Sequence, residues 1–371
     1  MKTKVLAVNT VFTGFNGITS ILMNYVRQTC NTVDYDFVLC CGLDDAFREQ
    51  MEKFGGKLYF PPCSRMKNPL RYSAWLKQLL RDGHYDAVHV HGNSGTMYFD
   101  IHAAKQAGIP IRIAHCHNTS CRFKTVHYLL KPFLSRDLTH AAACSEAAGK
   151  WLFDGSFTVL PNGIDSARFA YSEQTRREYR NVLGLNDAFV VGHVGYMEEV
   201  KNHLFLLRVF RKLLEQRPDA RLLLIGDGKL RPDIERFLTE NNMNDAVLLL
   251  GKRPDIAELY QCMDVFVLPS LYEGLPVTLI EAQASGLPCI VSDTVTKEAD
   301  VTGNIRYLGI GESKEAIWAD LLNEPASSEI RRQDCADTVA ESGFDIRHCT
   351  MRLMTIYKGE ENLIQESRNI V

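Results

Sequence analysis

Residues 265–288, VFVLPSLYEGLPVTLIEAQASGLP, decide the fold of this chain. The apolar run Val265–Leu268 predicts a buried strand, and residues 278–285 predict a helix that Gly286 and Pro288 end. Glu273 therefore lies in the loop at the carboxyl end of a strand, and Glu281 lies on the opening turns of the next helix. Between them are backbone N–H groups at the positive end of a helix dipole. Carboxylates bind sugar hydroxyls and a helix N-terminus binds phosphate, so this stretch suits a nucleotide sugar.

Strand patterns and helix patterns alternate along the whole chain, which predicts an α/β protein with parallel sheets. We expect strands at residues 4–8, 36–40, 87–91, 111–115, 141–144, 190–194, 221–225, 247–250, 265–268 and 289–292. We expect helices at residues 18–27, 70–80, 101–107, 204–215, 230–241, 256–263 and 345–357. Turn chemistry at Pro161-Asn162-Gly163 predicts a domain boundary near residues 162–188.

The bulk composition is that of an ordinary soluble protein. Of 371 residues, 46% are hydrophobic and 23% charged, and the net charge of −3 gives no reason to expect nucleic-acid binding. The 11 cysteines are scattered and odd in number, which is typical of buried thiols in a reducing cytoplasm. We expect no signal peptide at the N-terminus and no membrane-spanning helix.

The motifs resemble those of one enzyme family, the retaining nucleotide-sugar glycosyltransferases of family 4, which have the GT-B fold. The spacing Glu–seven residues–Glu, after Pro-Ser and before Ala-Ser-Gly-Leu-Pro, is similar to that family's donor loop. Further motifs follow in the family's order over nearly the whole chain: VLPNGID at 159–165, GHVG at 192–195, KNH at 201–203, LIGDG at 224–228 and GKRPD at 251–255. The stretches AHCHN at 114–118 and SDTVTKE at 292–298 resemble bacterial exopolysaccharide and capsule enzymes.

The resemblance implies an architecture and an activity. It implies two Rossmann-like domains whose parallel sheets face each other across a cleft: residues 1–165 on the acceptor side and residues 166–344 on the nucleotide-sugar side. Residues 345–371 would form a C-terminal helix that crosses back to the first domain. The implied activity is transfer of a sugar, with retention, from a UDP-linked donor to a glycan or lipid-linked glycan during surface polysaccharide synthesis. The enzyme would be a hexosyltransferase of class EC 2.4 that needs no metal or other cofactor.

The implied donor site gathers residues from several loops. Glu273 would face the sugar hydroxyls and Glu281 the ribose hydroxyls, while Lys201 would neutralise the leaving diphosphate. Arg253 and Asp255 would lie against the nucleobase, with Asp255 also capping the helix at residues 256–263. The donor-binding set is completed by Gly14, Gly17, Gly195, Tyr196, Gly226, Gly274, Leu275, Val277 and Thr278. Taken singly, Glu273 and Glu281 also fit solvated surface carboxylates, and Lys201 fits a surface lysine at a helix start.

Tyr196 departs from the family pattern, which usually has an arginine five residues before the lysine. A tyrosine donates one hydrogen bond but brings no positive charge. Either Lys201 provides more of the leaving-group stabilisation, or Arg253 or Lys229 contributes, or the activity is weaker.

The first half of the chain contributes a candidate histidine and two glycines. By the family's pattern His117, at the end of a strand, lies near the reacting sugar, and we group it with Lys201 and Glu273 as catalytic. Gly14 and Gly17 open a helix and would let backbone approach the phosphate. A rival interpretation is a metal site formed by His89, His91, His115, Cys116, His117 and Cys121, but their spacing differs from that of structural zinc sites, so no metal is expected.

Two basic and aromatic stretches, residues 65–81 and 122–133, fit either ordinary surface helices or segments that lie on anionic lipid. If the acceptor is lipid-linked, such a surface would bring a cytoplasmic enzyme to the inner face of the membrane. Two other functions remain open. One is a nucleotide-sugar epimerase of the same architecture, which requires an acid–base set that is not identifiable. The other is a non-catalytic sugar-nucleotide-binding relative, which the tyrosine at 196 favours.

Overall fold

The computed structural model describes residues 2–14, 17–54, 56–324 and 331–360. The chain forms two compact units. It passes from the first to the second between Gly163 and Ile164 and returns between Asp345 and Ile346. The sequence places these two boundaries at 165/166 and 344/345.

Within the described residues, the first unit is built on a sheet of seven parallel strands. They are β1 (Thr3–Asn9), β2 (Val33–Leu39), β3 (Leu58–Tyr59), β4 (Ala87–Gly92), β5 (Ile111–Cys116), β6 (His140–Ala143) and β7 (Thr158–Val159). Their order in the sheet is β3-β2-β1-β4-β5-β6-β7. The four consecutive residues Val5–Val8 of β1 are completely buried, as expected for a strand whose two faces are both covered by helices.

The helices of the first unit follow the strands in alternation. They are α1 (Gly17–Thr29), α2 (Asp45–Lys53), α3 (Pro69–Gly83), α4 (Tyr98–Ala107), α5 (Lys124–Asp137) and α6 (Glu146–Leu152). Each amphipathic helix buries one stripe of apolar residues against the sheet; in α3 the stripe is Tyr72, Leu76 and Leu80.

The second unit has its own parallel sheet and apolar core. Its strands are β8 (Phe189–Val194), β9 (Ala220–Ile225), β10 (Val247–Gly251), β11 (Val265–Leu268), β12 (Cys289–Ser292) and β13 (Ile305–Leu308), in the order β10-β9-β8-β11-β12-β13. The helices are α7 (Ser166–Phe169), α8 (Glu173–Val182), α9 (His203–Gln216), α10 (Arg231–Glu240), α11 (Ile256–Cys262), α12 (Val277–Ala284), α13 (Glu315–Asn323) and α14 (Cys335–Val339). One core cluster joins α9 to the sheet and to Trp318 of α13.

The C-terminal helix, α15 (Ile346–Tyr357), belongs to the first unit, where it packs against α1. Gly163 permits a close approach here, because a Cβ atom on it would lie 2.8 Å from Cys349 Sγ and 3.0 Å from Ile346 Cα. Asn24 of α1 donates a hydrogen bond to the Gly163 carbonyl at 3.2 Å. The glycine of the predicted turn therefore also serves the packing of α15.

The predicted α/β architecture with two parallel sheets is confirmed, and the differences lie in single elements, among them the helices α2, α6 and α13, which were not predicted. Strands β3, β7 and β13 were not predicted; β3 and β7 have only two residues each, too few to show a pattern. Asp255 occupies the N-cap position of α11, but its side chain makes no capping bond, so this detail of the prediction is wrong. No helix in the described ranges is both long and apolar enough to cross a membrane.

Candidate active site

In the second unit, the predicted donor residues lie in loops that follow β8, β9, β10 and β11. The carboxyl ends of parallel strands meet at one edge of a sheet, which is where α/β proteins place their ligands. Backbone bonds tie these loops together. The Gly195 N–H donates to the Ile225 carbonyl at 3.0 Å, and the Leu271 N–H donates to the Val200 carbonyl at 2.8 Å. The loops therefore form one connected surface.

Lys201 and Glu273 form an ion pair at this edge. The Lys201 Nζ atom lies 2.6 Å from Glu273 Oε1, and the two side chains are only 16% and 15% exposed. Seventy-two positions separate them in the sequence, so only the fold brings them together. A short pair with little solvent around it holds both charges in place, ready to be shared with a ligand.

Two of the predicted glycines are required by close backbone packing. Gly226 has φ of +132°, and a Cβ atom there would lie 2.0 Å from the Gly195 carbonyl oxygen. A Cβ atom on Gly195 would lie 3.0 Å from His193 Nε2 and 3.3 Å from the Lys201 side chain. The loops after β8 and β9 therefore touch through their backbones, and Gly195 leaves room for Lys201.

The segment from Gly274 to Thr278 leads from the loop after β11 into α12. Gly274, Leu275 and Val277 are buried. Pro276 is the N-cap and provides no side-chain cap. The opening N–H groups of α12, at Val277 and Thr278, consequently have no acceptor within the helix, and the dipole adds partial positive charge there. The Thr278 hydroxyl is also buried without a hydrogen-bond partner in the described part of the chain.

Glu281 lies one turn further along α12, half-buried, and accepts a hydrogen bond from the Tyr260 hydroxyl at 3.0 Å. Burial raises the pKa of this carboxyl to about 7, although the Tyr260 hydrogen bond and the nearby Arg168 charge act in the opposite direction. A carboxyl group poised near neutrality, with one oxygen held by a tyrosine, can accept a hydrogen bond from a ligand hydroxyl.

Tyr196 stands where the family usually has an arginine, and the exposure of the nearby cations shows which of them is best placed to replace its charge. The Tyr196 side chain is 40% exposed beside the Gly195 loop. Arg253 donates two hydrogen bonds to Asp255, at 2.7 and 2.5 Å; this explains why Asp255 does not cap α11 and why the pKa of Asp255 is lowered. Lys229 is 61% exposed and lies 3.6 Å from the Glu199 carboxylate. Among these three cations, Lys201 is the most buried.

Two buried histidines, His193 and His203, flank Lys201 in the sequence and were not singled out there as functional residues. His193 bonds through Nδ1 to the Val267 carbonyl at 2.8 Å, and His203 is the first residue of α9. Both rings are buried, and burial lowers their pKa values to about 4 and about 2. In the described residues, His193 Nε2 and His203 Nδ1 have no hydrogen-bond partner. Their positions at a strand end and a helix start, flanking Lys201, were the signal available in the sequence.

In the first unit, His117 follows β5 and belongs to a group of buried imidazoles. Its Nε2 atom lies 3.0 Å from His91 Nδ1, and burial lowers the pKa of His117 to about 4. His89 and His115 lie on the same two neighbouring strands, with His89 Nε2 3.2 Å from His115 Nδ1. These rings are therefore neutral at pH 7.

Gly14 and Gly17 differ in how strongly the structure requires a glycine. The Gly14 N–H donates to the Thr19 hydroxyl at 3.3 Å, and a Cβ atom on Gly14 would lie 2.7 Å from the Phe12 ring. Among the described residues, a Cβ atom on Gly17 would meet nothing within 4 Å. Residues 15 and 16, between them, lie outside the described residues.

The fold and this arrangement of loops are those of a GT-B glycosyltransferase. A family model described as "Glycosyltransferase Family 4" matches residues 16–168, and one described as "Glycosyl transferases group 1" matches residues 188–322. The chain is 36% identical over 366 residues to the putative glycosyltransferase EpsF of Bacillus subtilis strain 168, covering 94% of this chain and 95% of that one. The chain belongs to this family of glycosyltransferases and is a transferase of class EC 2.4.

Further relatives are more distant. A UDP-Gal:alpha-D-GlcNAc-diphosphoundecaprenol alpha-1,3-galactosyltransferase of Escherichia coli is 34% identical over 234 residues, which cover 59% of this chain and 60% of that enzyme. The crystal structure of Anabaena Alr3699/HepE in complex with UDP superposes with a TM-score of 0.78 at 18% identity, covering 97% of this chain and 100% of that one. At that identity, the structural likeness supports the fold alone.

Proposed function

We propose that this enzyme transfers a sugar, with retention of its anomeric configuration, from a UDP-linked donor to a glycan or lipid-linked glycan acceptor in exopolysaccharide or capsule synthesis. The observation that carries the proposal is that one segment of the second unit combines three features, here called the junction. They are the Lys201–Glu273 ion pair, the uncapped start of α12 and the carboxyl group of Glu281. This junction offers positive charge for a diphosphate and carboxyl oxygens for the hydroxyls of two sugars.

The choice of a uridine nucleotide and of a polysaccharide context rests on the relatives. The galactosyltransferase from Escherichia coli is named for a UDP-linked donor and a diphosphoundecaprenol acceptor. HepE has been solved with UDP and with UDP-glucose. We extend these ligand classes to the present chain because its own site residues have the matching chemistry.

In the proposed mechanism, the second domain binds the donor and the first domain binds the acceptor. Glu281 accepts hydrogen bonds from the ribose, and Glu273 accepts them from the donor sugar. Lys201 and the α12 N–H groups stabilise the negative charge that develops on the departing diphosphate. The acceptor hydroxyl attacks from the side that the diphosphate leaves, and a diphosphate oxygen takes its proton, which retains the configuration.

Lys201 and the helix N-terminus supply the positive charge that this mechanism requires, so we propose that the transfer step uses no metal ion. Tyr196 then replaces the family's usual arginine with a hydrogen-bond donor, and Lys201 becomes the principal cation at the leaving group. His117 completes the proposed catalytic set from the first domain, where its neutral ring and backbone would orient the reacting sugar.

A screen of UDP- and GDP-sugars for thermal stabilisation tests the donor site, because a ligand that binds only the folded state raises its stability. We expect UDP-sugars to raise the Tm of the wild type and of Glu240→Ala, an exposed glutamate on α10, and to raise that of Glu281→Ala far less. Each shift is measured against the same variant without ligand. No stabilisation by any UDP-sugar, or an equal shift in Glu281→Ala, would contradict the assignment.

Donor turnover with and without acceptor separates the three candidate functions. A transferase releases UDP efficiently only when acceptor is present. An epimerase converts the donor sugar alone, and a non-catalytic relative does neither. Undecaprenyl-diphosphate-linked sugars are the first acceptors to test.

We further propose a peripheral membrane contact on the cytoplasmic side through the outer face of α5, termed here the α5 surface. It combines exposed apolar and aromatic side chains with basic ones: Phe123, Tyr128, Leu129 and Phe133, with Arg122, Lys124 and Arg136. Leu129 is 67% exposed. Aromatic and aliphatic groups flanked by cations fit the interface of an anionic bilayer.

Co-sedimentation with vesicles tests the α5 surface. We expect the protein to bind phosphatidylglycerol-rich vesicles more strongly than neutral vesicles. Binding to the phosphatidylglycerol-rich vesicles should fall about tenfold in the double variant Leu129→Ser, Phe133→Ser, because buried apolar area is lost. Val182→Ser is the matched control, since Val182 is 80% exposed in the second unit. Equal binding of the double variant and the control variant would contradict the proposal.

A further inference from the structure

Three imidazoles in the first unit are arranged as a set of convergent ligands. His89, His91 and His115 are fully buried, and one nitrogen of each lies within 4.8 Å of the corresponding nitrogens of the other two. His89 and His91 alternate on β4, and His115 lies beside His91 on β5. The sheet fixes the backbones of the three histidines, and its pleat sets the direction in which each side chain leaves the strand.

The other nitrogens of two of these rings have partners that orient them. His89 Nδ1 lies 2.8 Å from the Tyr357 hydroxyl of α15, and His91 Nδ1 lies 3.0 Å from His117 Nε2. His91 Nε2 has no hydrogen-bond partner in the described part of the chain, although it is buried. Metal-binding histidines typically donate their second ring N–H to such an outer partner, which fixes the ring.

The spacing of the inner nitrogens suits a tetrahedral ion. Zinc bonded to imidazole nitrogens at about 2.0–2.1 Å places two ligand nitrogens about 3.3 Å apart, and His89 Nε2 and His115 Nδ1 are 3.2 Å apart. The ligand nitrogen of His91 lies within 4.8 Å of the other two. Burial keeps all three imidazoles unprotonated at pH 7, the form that binds metal.

We propose that His89, His91 and His115 supply three of the ligands of a divalent transition-metal ion, Zn²⁺ in the first instance, bound in the first domain. This differs from the expectation drawn from the sequence, in which histidines at the ends of neighbouring strands could converge but the lack of close ligand spacing along the chain argued against a metal. The proposed metal ion takes no part in the transfer step, because residues of the second domain supply the positive charge for that step.

Metal binding would also set the protonation of His117. With His91 Nε2 on the metal, the proton of the neutral ring is on Nδ1, which then donates to His117 Nε2. The His117 proton must in turn lie on its Nδ1, a buried atom with no hydrogen-bond partner in the described part of the chain. This consequence, unlike the metal site itself, matters for catalysis only if the proposed role of His117 is correct.

Metal analysis of untagged protein tests the site. After addition of Zn²⁺ and exhaustive dialysis, we expect about one Zn²⁺ per chain in the wild type and below about one-tenth in His91→Gln. His127→Gln is the matched control, because His127 is also fully buried in the first unit but lies outside the cluster, with its Nδ1 accepting from the Gly95 N–H at 3.1 Å. It should retain the metal.

A Co²⁺ spectrum of the wild type provides a second readout that needs no variant. Replacement of Zn²⁺ by Co²⁺ should give the visible absorption of a tetrahedral nitrogen-ligated ion, even if His91→Gln fails to fold. Absence of that absorption, less than about one-tenth of a zinc per chain in the wild type, or equal zinc in His91→Gln and the wild type would each overturn the proposal. None of these readouts depends on sugar transfer.

Discussion

The carboxyl edges of the two sheets carry different kinds of polar group. In the second unit, Lys201 and Glu273 form an ion pair with 2.6 Å between Lys201 Nζ and Glu273 Oε1. In the first unit, His89, His91 and His115 contact one another, His117 and the Tyr357 hydroxyl, which are all uncharged, and burial lowers the pKa of each of the three well below its usual value. Burial removes a charge unless a counter-charge is adjacent. The second edge is accordingly suited to an anionic ligand, and the first to a neutral hydrogen-bonding or metal-binding role.

We expect the largest effect from a substitution that removes one member of the Lys201–Glu273 ion pair. Lys201→Ala should lower kcat for UDP release by about 10²–10³-fold, because the cation that stabilises the leaving diphosphate is lost. Lys229→Ala is the control, since Lys229 is exposed at the same edge, and its effect should stay below about threefold. Equal losses in both variants would show that the positive charge is shared and that Lys201 has no special position.

Two glycine substitutions, one in each unit, should differ in their effect on the free energy of unfolding. Gly226→Ala should lower the free energy of unfolding by about 2–4 kcal/mol, because its Cβ atom would collide with the Gly195 carbonyl at a positive φ. Gly17→Ala should be nearly neutral, since no described residue lies within 4 Å of its Cβ position. Urea unfolding of both variants measures the difference. A Gly17→Ala variant as unstable as Gly226→Ala would contradict the close-packing argument.

The smallest effect concerns the carboxyl of Glu281. Its folded pKa of about 7 lies above the usual value of 4.5, so the folded state binds the proton more tightly and this group costs stability as pH rises through that range. Glu281→Gln should therefore be more stable than the wild type by roughly 2 kcal/mol at pH 8 and by less at pH 5. Glu240→Gln, at an exposed position, should show no such trend. Thermal unfolding at the two pH values gives the answer, and a difference that does not vary with pH would refute the burial of Glu281.

Local sequence signals placed the strands and helices that carry the site, because buried strands and amphipathic helices leave clear patterns. The stretch 265–288 set Glu273 at a strand end and Glu281 on a helix, and α12 confirms that helix and its end near Gly286. The two-residue strands escaped notice because they are too short to show a period.

Some side-chain pairings could not be predicted from the sequence, even between residues two positions apart. Nothing local shows that Asp255 prefers Arg253 to the start of α11, since both bonds satisfy the same carboxylate and only their competing geometries decide. The burial of the His193 and His203 rings was not predicted either, because it depends on how β8 and α9 pack.

The sequence by itself thus determined the α/β class, the two sheets and the family, because these depend on periodicity and on motifs of adjacent residues. The tertiary structure decided which groups meet: Lys201 with Glu273, Gly226 with Gly195, and the histidines of β4 with those of β5. Charge, pKa and metal affinity depend on such neighbours across space, and a linear pattern does not specify the distances on which they depend.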